Sequence, residues 1–174
     1  MVLIMRLLAR VGSPHAVVTV VTAITALYMV LVVFGNITDY GTNHAFVEHV
    51  LTMDTTFKSP DTMWRAITSS GVVTVVYVLI IAWEALTALV LVAGFVAWLR
   101  VVFGGRDATL ARQLSSAGLV MQLLLFGGGF IAIGGEWFQM WQSKSWNGLQ
   151  AALQNFIIGG ISLILVHVAG RDAK

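Results

Sequence analysis

One carboxyl group stands apart from the other acids in this chain. Glu84 lies in the apolar run from Gly71 to Leu99, GVVTVVYVLIIAWEALTALVLVAGFVAWL, whose only other ionisable side chain is Tyr77. A helix of that length measures ~43 Å, more than a ~30 Å hydrocarbon core requires. An acid at that depth costs ~2.5–3.5 kcal/mol or more, so it marks a functional site or a hydrogen-bonding clamp. The chemistry open to it is proton or cation relay, pairing with a partner's basic group, or a bond to a lipid or quinone headgroup. No Lys, Arg or His occurs at its depth. Without a cation to pair with, Glu84 is expected to be neutral at pH 7. Its expected hydrogen-bond partner is Gln122, Asn155, a threonine or a freed carbonyl.

Two further groups could do chemistry. His44, Glu48 and His49, near Asp39 and Asp54, are the only cluster resembling a metal site. His44 and Glu48 share a helix face, but His49 points ~100° away, and the spacing matches neither H-E-x-x-H nor H-x-x-E-H. The wet face of a surface helix is the commoner explanation, and no metal is expected. His15 and His167 fall at the same ends of the first and last apolar runs, where two histidines could ligate a haem. Interfacial histidines with solvated tips are far more common, so no cofactor is expected, and haem or quinone is disfavoured.

The elements that position these residues follow from composition. The chain of 174 residues is 58% hydrophobic and 10% charged, against ~25% charged in soluble domains. It reads as an all-α membrane protein of one domain, residues 1–174. It has no cysteine, hence no disulfide framework or thiolate metal site. Four apolar runs, 17–35, 71–99, 117–135 and 150–168, predict a four-helix bundle. The first run is too long for a signal-peptide core and is expected to be retained as a span. The MVLIMRLLARV segment ahead of it could form a short amphipathic interfacial helix.

Of the Lys and Arg residues, seven lie at the termini and in the 100–116 loop (Arg6, Arg10, Arg100, Arg106, Arg112, Arg171, Lys174) and three lie elsewhere (Lys58, Arg65, Lys144). That asymmetry predicts both termini in the cytoplasm. Residues 36–70 then form an outer loop, expected to fold as a short helical cap. Thr42 or Asn43 would cap a helix to about Met53, and Ser59-Pro60-Asp61 would start a second one running into the span from Gly71.

Small and polar residues mark the inward faces of membrane helices. They are Thr19, Thr22, Ala23 and Ala26 in the first span and Thr74, Tyr77, Glu84, Thr87 and Ala88 in the second. The third offers Gly118, Gln122 and the triplet Gly127-Gly128-Gly129, and the fourth Ala151, Asn155, Gly159 and Ser162. Glu84, Tyr77, Thr87, Gln122 and Asn155 make up the candidate intramembrane polar site. The glycines are read as close-packing positions or bends.

The stretch N-x-T-D-Y-x-x-N-x-x-F-V-x-H-V-L-x-M-D-T-T-F, Asn36 to Phe57, with Trp64-Arg65-Ala66-Ile67 and Trp83-Glu84, resembles a bacterial family of small integral membrane proteins with a domain of unknown function. The resemblance covers nearly the whole chain. It implies four spans in a bacterial inner membrane and no particular activity. It draws attention to Asn36, Asp39, Tyr40, Asn43, His49, Asp54 and Trp64 as an outer-loop candidate site.

With no nucleotide motif, no nucleophile–base pair and little soluble domain, an enzyme is not expected. The favoured expectation is an accessory or scaffolding subunit of a larger membrane assembly, in contact with lipid and with other subunits or a second copy. Nucleic acid is not an expected partner. A small proton- or cation-coupled transporter using Glu84 and a haem or quinone redox anchor are the alternatives. A neutral Glu84 is open to direct test. Infrared spectra at neutral pH should show no carboxylate band that disappears in Glu84→Gln, and finding such a band would refute the neutral state.

Overall fold

The computed structural model describes residues 2–105 and 107–169. Among them it is all-helical, with no strand. Helix α1 spans Val2–Val11, where the interfacial helix was expected. Helix α2 spans Pro14–Thr38. Ser13 caps it, accepting from the Ala16 N–H at 3.2 Å, and Pro14 takes the first helical position, where a missing N–H costs nothing. Helix α3 covers Tyr40–Thr52, α4 covers Ser70–Gly104, and α5 covers Thr109–Leu123. Helix α5 continues without a break into a π-helical segment, Leu124–Trp137. After a loop comes α6, Leu149–Ala169. Arg106, Arg171 and Lys174, on which the orientation partly rests, lie outside the described residues, as do the side chains of Arg6 and Arg10.

Helices α2, α4, α5 and α6 form a closed bundle in which each touches two neighbours: α2 packs on α4 and α6, and α5 packs on α4 and α6. Four helices in this set, Pro14–Thr38, Ser70–Gly104, Thr109–Trp137 and Leu149–Ala169, are long and apolar enough to cross a membrane. Helix α4, at ~52 Å, exceeds one bilayer core. Its first turns are sheathed by α3, through Tyr77 against Tyr40 and through Thr74 bonded to His44 at 3.1 Å.

Close approach of helices uses the absence of Cβ atoms at particular glycines. A Cβ on Gly94 would lie 2.8 Å from the Ser115 hydroxyl and 3.0 Å from its backbone nitrogen. One on Gly118 would strike Leu91 at 2.7 Å. Trp98, fully buried beside this contact, donates its indole N–H to Ser115 at 2.9 Å. Of the midplane triplet, only Gly127 serves close packing, under the Phe156 ring at 2.7 Å, while Gly128 faces open space. The triplet is part of the π segment, whose i→i+5 bonding continues to Phe138 N–H on Ile133 C=O at 3.0 Å. Long π segments are rare. This one contains Gly127, Gly128, Gly129, Gly134 and Gly135, residues with the least steric resistance to a non-α backbone.

Two expectations for the 36–70 loop are corrected. The first helix does not start at Thr42 or Asn43: α3 begins at Tyr40, straight after α2. Asp39 is the hinge, with φ −115° and ψ 51°, and Asn43 donates its amide back to the Asp39 carbonyl at 3.3 Å. Ser59-Pro60-Asp61 does not launch a helix into the second span either. Ser59 C=O accepts from Thr62 and Met63, one short turn follows over Met63–Arg65, and Ala66 becomes extended. The reason is tertiary: Ile67 N–H bonds to Leu51 C=O at 2.8 Å, and Met63, Ala66 and Ile67 pack on the cluster of Val47, Leu51 and Tyr77.

The loop also does not stand alone. Thr55 donates to Ser143 at 2.9 Å, Phe57 N–H to Gln142 at 2.8 Å, and Thr62 to Gln139 at 3.2 Å. Residues 138–148 are therefore half of the structure at this end of the bundle. At the other end, Asp107 is fully exposed ahead of α5. Hydrogen bonding to Thr109 holds its carboxyl below the usual carboxylate range.

Thermal unfolding in detergent checks the packing. Gly94→Ala overpacks a backbone contact and should cost ~1–3 kcal/mol, lowering the midpoint. Gly160→Ala meets nothing within 4 Å and should be neutral or stabilising by up to ~1 kcal/mol. Equal midpoints for the two variants would contradict the Gly94–Ser115 contact.

Candidate functional site

One face of each element around the upper bundle converges on a common chamber. On α2, Tyr28, Val32 and Asn36 follow at four-residue intervals and so lie on one stripe. On α4, Tyr77, Ile80 and Glu84 do the same at three and four. Helix α6 brings Ala151, Ala152 and Asn155, α3 brings Asn43, Phe46 and Val47, and the π segment brings Phe126 and Phe130. Together these residues surround a cavity of about 310 Å³. Tyr28 is 39% exposed and Ala151 is also exposed, so the chamber has its rim between α2 and α6.

Glu84 is 2% exposed. Its hydrogen-bond partner is neither Gln122 nor Asn155. Asn36 donates its amide N–H to the Glu84 Oε2 at 2.6 Å. The same Asn36 accepts from the Tyr77 hydroxyl, through its carbonyl at 3.0 Å and its Oδ1 at 3.4 Å. One residue from each candidate site thus meets the other: Asn36, grouped with the outer loop by sequence, is the direct partner of the intramembrane acid. The reason is the packing of α2 along α4, which sets Asn36, in the last turn of α2, beside an acid seven residues beyond Tyr77 on α4.

The remaining polar residues fall into separate sets. Thr87 donates to Trp83 C=O on its own helix at 2.7 Å. Gln122, fully buried, donates to the backbone carbonyl of Asn155 at 3.1 Å. Asn155 donates its amide to Tyr28 Oη at 2.9 Å and to Ala151 C=O at 2.9 Å. Those carbonyl acceptors fix which amide atom is nitrogen. The Gln122 Oε1 and Asn155 Oδ1 are thereby identified as buried acceptors without a donor. Of these two residues, only Asn155 lines the chamber.

The loop candidates divide likewise. Asn36 and Asn43 line the chamber, and Tyr40 packs edge-on against Tyr77 at 4.9 Å. Asp39 is the hinge. His49 pairs with Asp54 at 2.7 Å and stacks on Trp146 at 4.3 Å, away from the chamber. Trp64 meets Trp137 edge-on at 5.6 Å, with the Arg65 guanidinium over both rings. His44 lies 3.9 Å from Glu48. Among the described residues no three His, Asp or Glu side chains converge as a metal site would need. His15 rests against Trp98, and His167 bonds Ser116 at 3.2 Å, so the two rings are held by different partners.

Sequence reasoning missed Tyr28 and the aromatic walls Phe46, Phe126 and Phe130. The four-residue interval from Tyr28 to Asn36 was the available signal for Tyr28. Nothing in the sequence distinguishes the phenylalanines from ordinary packing residues.

Fold and chamber define a helical membrane protein with four candidate spans and a mostly apolar cavity that holds one buried acid. The chain belongs to the family of predicted small integral membrane proteins (DUF2165), whose model matches residues 15–169. No curated protein and no solved structure matches it.

A double-mutant cycle tests the central bond. Asn36→Ala leaves a buried carboxyl without its donor and should cost ~1–3 kcal/mol. In a Glu84→Ala background the same change should cost clearly less. Additive losses would mean that the two side chains do not act on each other.

Proposed function

We propose that this protein is a non-enzymatic binding protein of the bacterial inner membrane, and that the Glu84 chamber is its binding site for a small amphipathic molecule. The observation that supports this reading most directly is a cavity of about 310 Å³ that holds the Glu84 side chain among mostly apolar residues. Concave sites with mostly apolar walls and a few convergent polar groups are what small-molecule recognition requires. No nucleophile with its base lines the chamber among the described residues, which favours binding over catalysis. The asymmetry of basic residues supports cytoplasmic termini, an orientation in which the chamber lies toward the outer leaflet.

This reading takes precedence over a purely scaffolding role, because a scaffold has no use for a cavity beside an acid. A photoactivatable alkyl-diazirine alcohol provides the test. In nanodiscs it should label peptides containing Tyr28, Phe46 or Phe130, and unlabelled octanol should compete. Ala151→Trp, at the rim, should reduce labelling at least fivefold. Labelling spread evenly over lipid-facing residues, unaffected by Ala151→Trp, would overturn the reading.

A further inference from the structure

We propose that the molecule taken by the Glu84 chamber is an aliphatic amine, bound as its ammonium against the Glu84 carboxylate. This inference rests on the binding reading above and adds the chemical class of the ligand.

Three observations carry it. The first is the bias of the polar groups. The chamber is lined by one acid, Glu84, and the Asn155 amide nitrogen on its wall is already committed to Tyr28 and Ala151. Among the described residues no Lys, Arg or His lines it. A ligand that completes this set brings donors and positive charge. An ammonium has three donors and no acceptor.

The second is the wall. Tyr28, Phe46 and Phe130 line the same chamber, and aromatic rings attract desolvated cations. An anionic headgroup would instead meet the Glu84 carboxyl.

The third is the neighbouring cavity. About 190 Å³ in volume, it lies between α3, α4 and the π segment, lined by apolar residues such as Val50, Leu125 and Ile133. It shares Phe46, Val47, Ile80 and Phe130 with the chamber, so the Glu84 chamber is bordered by apolar side chains of the kind an aliphatic chain contacts.

The proton transfer balances within the site. The amine enters uncharged, since moving an ion into hydrocarbon is costly. Its nitrogen lone pair takes the carboxyl proton of Glu84: an N–H bond forms, the O–H bond breaks, and the products are ammonium and carboxylate. The net charge of the site is unchanged, and the new charges are paired.

Octylamine, octanol and octanoate added to the protein in zwitterionic nanodiscs form a matched series. Octylamine should bind saturably. On binding, infrared difference spectra should show loss of a protonated-carboxyl band and gain of a carboxylate band, and Glu84→Gln should abolish both changes. Affinity should fall at least tenfold in Glu84→Gln, with correct folding checked by gel filtration and helical circular dichroism. Octanol binding at the chamber as tightly as octylamine would overturn the amine assignment and leave the binding reading standing. Octylamine bound equally by wild type and Glu84→Gln, or without the carboxylate band, would also overturn it. Failure of all three compounds, together with failure of the photolabel, would overturn the binding reading itself.

Discussion

A hydrocarbon environment offers no water to a buried polar group, and the rest of this structure is arranged around that constraint. Most polar side chains inside the bundle find a partner within the protein. Thr19, Thr25 and Thr87 do so on their own helices, each donating to the carbonyl four residues back, while the buried Thr22 hydroxyl makes no such bond. Such residues need no neighbour, and can be placed wherever a small side chain lets helices approach. A carboxyl group cannot be satisfied this way. Glu84 takes its donor from another helix, and the Asn36 bond therefore ties α2 to α4 at one height.

That tie has consequences on both sides. Asn36 is held by Tyr77 as well as by Glu84, and Tyr77 in turn supports Tyr40 and His44 of α3. The acid, the hinge at Asp39 and the sheath over the first turns of α4 thus form one connected unit. On the opposite wall, Gln122 and Asn155 join α5 to α6 through a backbone carbonyl, and Asn155 reaches Tyr28 on α2. The chamber lies between these two networks.

The π segment belongs to the same account. It supplies Phe126 and Phe130 to the chamber and Leu125 and Ile133 to the apolar cavity. An i→i+5 helix shifts which residues share a face relative to an α-helix, and π geometry is frequently found at functional sites. Here it occurs where the two cavities meet, and its glycines leave room on that side.

The sequence by itself determined the class and the spans. Hydrocarbon thickness and backbone hydrogen bonding leave few options for long apolar runs, so four helices could be read from hydropathy alone. Helix α2 runs three residues beyond each end of its expected span, and α4 five residues beyond its expected cytoplasmic end. The isolation of Glu84 from any cation was also legible, because it depends on composition at one depth. Tertiary structure decided the partner. Asn36 and Glu84 are forty-eight positions apart, and only the packing of α2 on α4 brings them together. The Ser59-Pro60-Asp61 signal failed for a related reason: a local helix start lost to the Ile67–Leu51 bond and the packing of Met63. Local propensity is worth tenths of a kilocalorie per residue, and burial of a few apolar side chains outweighs it. Which residues are apolar was written in the chain. Which polar groups meet was settled only by packing.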